Sequence, residues 1–164
     1  MLNYVLSYLS LALLFLFQTT LSRYIDICGI APNLIFTFAV CYSMYNFPVR
    51  SAVLCAVAGI VADLYSHQYV GVNALLYMYT GIAISNFASS LIRKNVWTAW
   101  AGVLCLSVLY HSIILIIDFV IPGHSGFVYP FLRFAIPTAV YDSVVSFVMV
   151  LLTRWLSEDK IRGL

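Results

Sequence analysis

Apolar residues fill this chain in long runs, and short polar or turn-forming stretches separate the runs. Because a membrane-spanning helix needs about 20 mostly apolar residues, the runs predict about six spans. The predicted spans cover residues 2–21, 30–47, 50–66, 72–92, 96–121 and 128–153. The third run is the hardest to delimit, and an alternative is that the second and third runs form one broken element. The pattern predicts a compact all-α bundle in a single transmembrane domain over residues 1–164.

Composition strengthens this prediction by excluding other classes of protein. Hydrophobic residues make up 63% of the chain and charged residues only 9%, whereas a soluble domain carries about 25% charged residues. The formal net charge is +2 and the basic residues are dispersed, so nothing indicates a nucleic-acid partner. We therefore expect an integral membrane protein surrounded by the lipid bilayer.

The distribution of basic residues predicts the orientation of the bundle. Short loops rich in Lys and Arg tend to stay in the cytoplasm. With the N-terminus inside, the outer segments hold only Arg23 and Arg133. The inner segments then hold Arg50, Arg93, Lys94, Arg154, Lys160 and Arg162. This asymmetry predicts that both termini are cytoplasmic.

The third and fourth runs form a predicted helical hairpin that contains a carboxylate, Asp63. Small residues recur at four-residue spacing in both runs, which lets two helices approach closely in lipid. The series is Ser51, Cys55, Gly59 and Asp63 in the third run, with Ala52 and Ala56 beside it, and Asn73, Tyr77, Gly81, Ser85 and Ser89 in the fourth. We expect Asp63 to accept hydrogen bonds from the turn that ends at Gly71, or from Asn73, and so to cap the hairpin. The alternatives are a substrate or proton site and a contact with a partner protein.

The last two predicted spans contain four further ionisable side chains. Asp118 and Arg133 flank the short connection between these spans, and we expect an ion pair there because a lone charge in lipid is costly. His111 and Asp142 lie near the bilayer centre and are the intramembrane pair that we expect. The pair is either a polar clamp between the two spans or a functional site. Pro137, one turn before Tyr141, predicts a kink in the last span.

Sequence signatures of catalysis are lacking. The three histidines have no His or Cys partner at i+4, so no metal site is predicted. There is no phosphate-binding Gly-rich loop and no nucleophile motif. We therefore predict a protein that is not an enzyme and that uses no cofactor.

Three segments together resemble the bacterial rod shape-determining MreD family. They are "APNLIFTFAV" (31–40), "GIVADLYSHQYVGVNALLYMYTGIA" (59–83) and "IPTAVYDSVVSF" (136–147). The matching positions are Pro32, Asn33 and Leu34, then Gly59, Asp63, Gly71, Asn73, Ala74 and Leu75, and finally Pro137 and Tyr141. The chain departs from the family at position 142, where it has Asp and the family usually has Asn. Because a neutral amide would serve equally well in a packing clamp, the resemblance does not imply that this site needs a charge.

The resemblance implies a non-enzymatic component of the cell-elongation machinery in the bacterial cytoplasmic membrane. The implied partners are an MreC-like single-span scaffold protein, a RodA-type glycosyltransferase and a class B penicillin-binding protein. The family is also distantly similar to the six-helix substrate-binding subunits of energy-coupling-factor vitamin transporters. That similarity implies an alternative function as a small-molecule carrier subunit. A bound vitamin, or an outward cavity lined by polar groups, would favour the alternative.

Overall fold

A computed structural model describes the chain as a set of packed helices. It describes residues 2–25, 30–66, 70–87, 96–120 and 128–157. The helices are α1 (Leu2–Ile25), α2 (Leu34–Tyr45), α3 (Pro48–Ser66), α4 (Val72–Phe87), α5 (Val96–Val120), α6 (Val128–Pro130), a π-helical segment (Phe131–Ala135) and α7 (Ile136–Ser157). The all-α class predicted from the apolar runs is confirmed for these residues.

Three of the helices are long and apolar enough to cross a membrane. Their spanning stretches are Pro48–Tyr65, Trp97–Asp118 and Val128–Arg154. Shorter apolar stretches cover Val5–Thr20 and Leu34–Tyr45. The predicted ends of the fourth span (88–92) and of the fifth (121) lie outside the described residues. The chain is therefore a helical, multi-pass membrane protein.

The second predicted span differs most from the structure. A span was expected over residues 30–47, but α2 has only 12 residues. At about 1.5 Å per residue it is about 18 Å long, whereas the hydrocarbon core is about 30 Å thick. The helix starts late because Pro32 has no N–H to donate and because Asn33 is the N-cap. The Asn33 side-chain oxygen accepts a hydrogen bond from the Phe36 N–H at 3.0 Å.

The short helix α2 is the centre of the bundle. Every residue from Ile35 to Met44 is buried, and α2 contacts each of the longer helices α1, α3, α4, α5 and α7. An apolar helix enclosed by protein has the same composition as one that faces lipid. Hydropathy alone therefore could not show that the second apolar run forms a short central helix and not one of six spanning helices.

Helices α3 and α4 pack closely along the two faces of small residues. A Cβ added at Gly59 would lie 2.5 Å from the carbonyl oxygen of Asn73, and one at Gly81 would lie 2.6 Å from the Cys55 sulfur. Both positions require a residue without a side chain, because any addition would push the helices apart. The close packing places the end of α3 directly beside the start of α4.

The last span is a continuous helical stretch with one irregular turn. The π-helical segment precedes Pro137, and the Ile136 N–H donates to the Phe131 carbonyl, five residues earlier. Because proline provides no N–H, the turn before it cannot complete the ordinary α-helical bonding pattern. The structure therefore has a widened turn on the N-terminal side of Pro137, and the kink expected there stays a prediction.

Candidate functional site

The Asp63 carboxylate closes the hairpin between α3 and α4. Its Oδ2 accepts hydrogen bonds from the N–H groups of Gly71 at 2.9 Å and Ala74 at 3.1 Å. Its Oδ1 accepts one from the Asn73 N–H at 3.1 Å. Asp63 is only 2% exposed. The first turn of a helix has N–H groups without intrahelical partners, and one side chain from the preceding helix binds three such groups here.

Gly71 has the backbone conformation that this turn requires. Its φ of +99° lies in the left-handed region, which glycine adopts without steric cost. The Gly71 carbonyl accepts the Leu75 N–H at 3.0 Å, which starts α4. Residues 67–69, which complete the predicted turn, lie outside the described residues.

A second buried carboxylate, Asp142 on α7, binds the beginning of α2. Its Oδ1 accepts the Asn33 backbone N–H at 2.7 Å, and its Oδ2 accepts the Ser107 hydroxyl at 2.5 Å. Asp142 is fully buried. One side chain of α7 therefore joins α2 and α5.

A side chain of α1 completes the capping of α2. The Gln18 Oε1 accepts the Leu34 N–H at 2.9 Å, and the Gln18 Nε2 donates to the Pro32 carbonyl at 3.0 Å. Together with Asn33 and Asp142, this amide satisfies backbone groups at the start of α2 that would be costly to bury alone. Sequence reasoning missed Gln18, because an isolated amide in an apolar run gives no signal of its partner.

The structure brings His111 and Asp142 together, with Ser107 between them. The His111 Nδ1 lies 4.0 Å from the Asp142 Oδ2, which is too far for a hydrogen bond. It lies 2.8 Å from the Ser107 carbonyl oxygen and 3.2 Å from the Ser107 hydroxyl. The hydroxyl donates to the carboxylate rather than to the imidazole, so Ser107 on α5 links His111 to Asp142 on α7.

Two tyrosines connect the Asp63 cap to the Asp142 cluster. The Tyr110 hydroxyl donates to the Asn73 Oδ1 at 2.7 Å, and the Asn33 Nδ2 donates to the Tyr77 hydroxyl at 2.9 Å. The Phe36 ring stacks on Tyr110 with the ring centroids 4.5 Å apart. We call this set the polar network. Its members are Gln18, Asn33, Asp63, Asn73, Tyr77, Ser107, Tyr110, His111 and Asp142.

A cavity of about 210 Å³ adjoins the polar network where α2 begins. Gln18, residues 31–33, Asn73 and His111 contribute to its wall. No group of three or more potential metal ligands occurs within the described ranges.

Asp118 and Arg133 do not meet in the structure. No ion pair joins these two described side chains, whereas the His111 Nδ1 and the Asp142 Oδ2 lie 4.0 Å apart. Asp118 is partly buried on α5, whereas Arg133 is exposed within the π-helical segment. The π-helical turn changes the register of the side chains around Arg133, and no pattern of apolar and polar residues predicts such a turn.

The comparisons with known proteins identify one family. The family model described as rod shape-determining protein MreD matches residues 1–159, which is nearly the whole chain. No curated protein matches the chain, and no solved structure matches it.

Proposed function

This chain belongs to the MreD family of rod shape-determining proteins, and from that premise we propose a role as a non-enzymatic scaffold subunit of the cell-elongation machinery. In this proposal it binds an MreC-like single-span protein. It thereby helps to position a RodA-type glycosyltransferase and a class B penicillin-binding protein.

The observation that carries this proposal is the use of the buried polar groups. Both oxygens of Asp63 and both oxygens of Asp142 accept hydrogen bonds that join helices. These hydrogen bonds fix the positions of the helices, because breaking any of them in a low-dielectric interior is costly. A rigid bundle with a fixed outer surface is what a docking subunit requires.

We place the span of the scaffold protein on the outer face of α3. An exposed apolar stripe runs along this helix and consists of Val53, Val57, Ile60 and Leu64. Partly exposed small residues, Ala52 and Ala56, lie beside it. Small residues allow close approach of a second helix in lipid, where association depends on packing rather than on the hydrophobic effect. The stripe ends next to the Asp63 cap, so the cap would hold this surface in place.

The test is affinity purification from native membranes in mild detergent, followed by mass spectrometry. We expect the single-span scaffold to co-purify with the wild type. Ile60→Trp should reduce its recovery at least about fivefold, as for a residue at the centre of an interface. Ile116→Trp is the matched control, because Ile60 is 50% exposed and Ile116 is 46% exposed on α5. Equal recovery with both variants would contradict the placement on α3, and absence of any such scaffold from the wild-type sample would contradict the proposed function.

The proposal also includes the cellular arrangement. We place the chain in the bacterial cytoplasmic membrane with both termini inside. The excess of basic residues in the segments that would face the cytoplasm supports this orientation. Reporter fusions at each terminus test it, and activity of a periplasm-specific reporter at either end would contradict it.

The cavity next to the polar network favours a second candidate function, that of a substrate-binding subunit of an energy-coupling-factor transporter. A polar cavity of about 210 Å³ is a feature that a pure scaffold does not need. The same purification separates the two functions. Recovery of a pair of ATPases with a membrane coupling subunit would favour the carrier, and recovery of wall-synthesis enzymes would favour the scaffold.

A further inference from the structure

The cavity beside α2 has polar groups in its wall that the protein does not use. The His111 Nδ1 lies 2.8 Å from the Ser107 carbonyl oxygen, which can only accept, so Nδ1 carries the hydrogen. In the neutral ring the Nε2 is then an acceptor. Nε2 has no protein partner in the part of the chain that the structure describes.

Asn73 provides a complementary donor in the same wall. Its Oδ1 accepts the Tyr110 hydroxyl at 2.7 Å, which fixes the orientation of the amide. Its Nδ2 therefore has hydrogens that no described protein group accepts, and Asn73 lines the cavity together with His111. Two residues that line one small space therefore have a donor and an acceptor without a described protein partner.

The lining residues that the structure describes have no formal charge while His111 is neutral. None of them is Asp, Glu, Lys or Arg. The nearby carboxylates of Asp63 and Asp142 are occupied by the hydrogen bonds that join the helices. A charged ligand would meet no opposite charge among these residues, and burying an unpaired charge is costly.

The size of the cavity limits the ligand further. A volume of about 210 Å³ corresponds to about seven water molecules at liquid density. Pockets for drug-sized ligands begin at about 300 Å³. The Tyr110 ring, which is stacked on Phe36, forms part of the wall and is held in place by that contact.

We propose that this cavity binds a small uncharged molecule with one ring, which accepts a hydrogen bond from the Asn73 amide and donates one to the His111 Nε2. The binding site would be assembled from α1, the start of α2, α3, α4 and α5. This inference does not depend on whether the membrane partner of the chain is a scaffold or a coupling subunit.

Three probes of equal size test the proposal. Benzamide is neutral and has both a hydrogen-bond donor and an acceptor. Benzoate is the matched anion, and benzamidinium is the matched cation. Binding is measured by saturation-transfer NMR on the full chain in lipid nanodiscs, with empty nanodiscs subtracted. We expect benzamide to bind, and both charged probes to bind at least about tenfold more weakly, as for an unpaired buried group.

Variants locate the bound probe. Ala62→Phe fills the cavity, since Ala62 lines it, and should abolish benzamide binding. Ala101→Phe adds the same group on the exposed face of α5 and should leave binding unchanged. The proposal is overturned if benzamide does not bind, if a charged probe binds as well as benzamide, or if both variants bind alike. The comparison of the three probes needs only the wild-type protein, so it stands even if Ala62→Phe does not fold.

Discussion

Replacing Asp63 tests the central structural element of this protein, the capped hairpin. Asp63→Ala removes all three hydrogen bonds that the carboxylate accepts. At about 1 kcal/mol for each bond, the expected loss of unfolding free energy is about 3 kcal/mol. Asp63→Asn keeps one acceptor oxygen for the Asn73 N–H but turns an NH₂ group toward the two donors that Oδ2 now binds. Its expected loss is about 2 kcal/mol.

Thermal unfolding of the purified protein in one detergent measures these losses. A change of 1 kcal/mol shifts Tm by about 2–4 °C in a chain of this size, so we expect a decrease of about 6–12 °C for Asp63→Ala. Asp118→Asn is the matched control, because Asp118 is only partly buried on α5 and has no bond within the described structure. It should change the unfolding free energy by less than about 0.5 kcal/mol. If Asp63→Asn unfolds at the same temperature as Asp118→Asn, the cap does not stabilise the fold.

Three further tests in the same unfolding assay address the Asp142 cluster, the packing of α3 on α4, and the capping of α2. In a double-mutant cycle, His111→Ala and Asp142→Ala should show a coupling free energy of about 1 kcal/mol, because both side chains contact Ser107. Additive losses of unfolding free energy would contradict an interaction between them. Gly59→Ala should destabilise by about 1–3 kcal/mol, since the added Cβ meets the backbone of α4. Gly102→Ala should be neutral or stabilising, since its Cβ would lie 3.7 Å from the nearest atom, and equal effects of the two glycine variants would contradict the close packing. Gln18→Ala leaves the Leu34 N–H unpaired and should cost about 1–3 kcal/mol, and a change below about 0.5 kcal/mol would contradict its capping role.

Features that depend on nearby residues could be predicted from the sequence. Asp63 and its donors are separated by eight to eleven positions. A turn between two helices with small residues on their facing sides brings such residues together, whatever the rest of the fold does. The start of α2 has such a local signal as well, a proline followed by a good N-cap residue at 32–33, but the apolar run placed the start of the span at residue 30.

Features that depend on distant residues could not be predicted. The sequence suggested His111 as the partner of Asp142, but the backbone N–H that Asp142 accepts belongs to Asn33, 109 positions away. Nothing local to either residue encodes that pairing. The burial of α2 was hidden for a related reason, because protein interior and lipid select the same apolar side chains. The π-helical turn that contains Arg133 has no established signal in a single sequence.

The enclosed position of α2 has a consequence for the order in which the protein can be assembled. Its Asn33 N–H is satisfied by Asp142, a residue that the ribosome adds 109 positions later. During synthesis, therefore, the beginning of α2 has no complete set of partners until most of the chain has been made. Because an unsatisfied buried backbone group is costly, we expect the start of α2 to reach its final position only after α7 is in place. The second hydrophobic segment to be translated would then be one of the last to reach its final position.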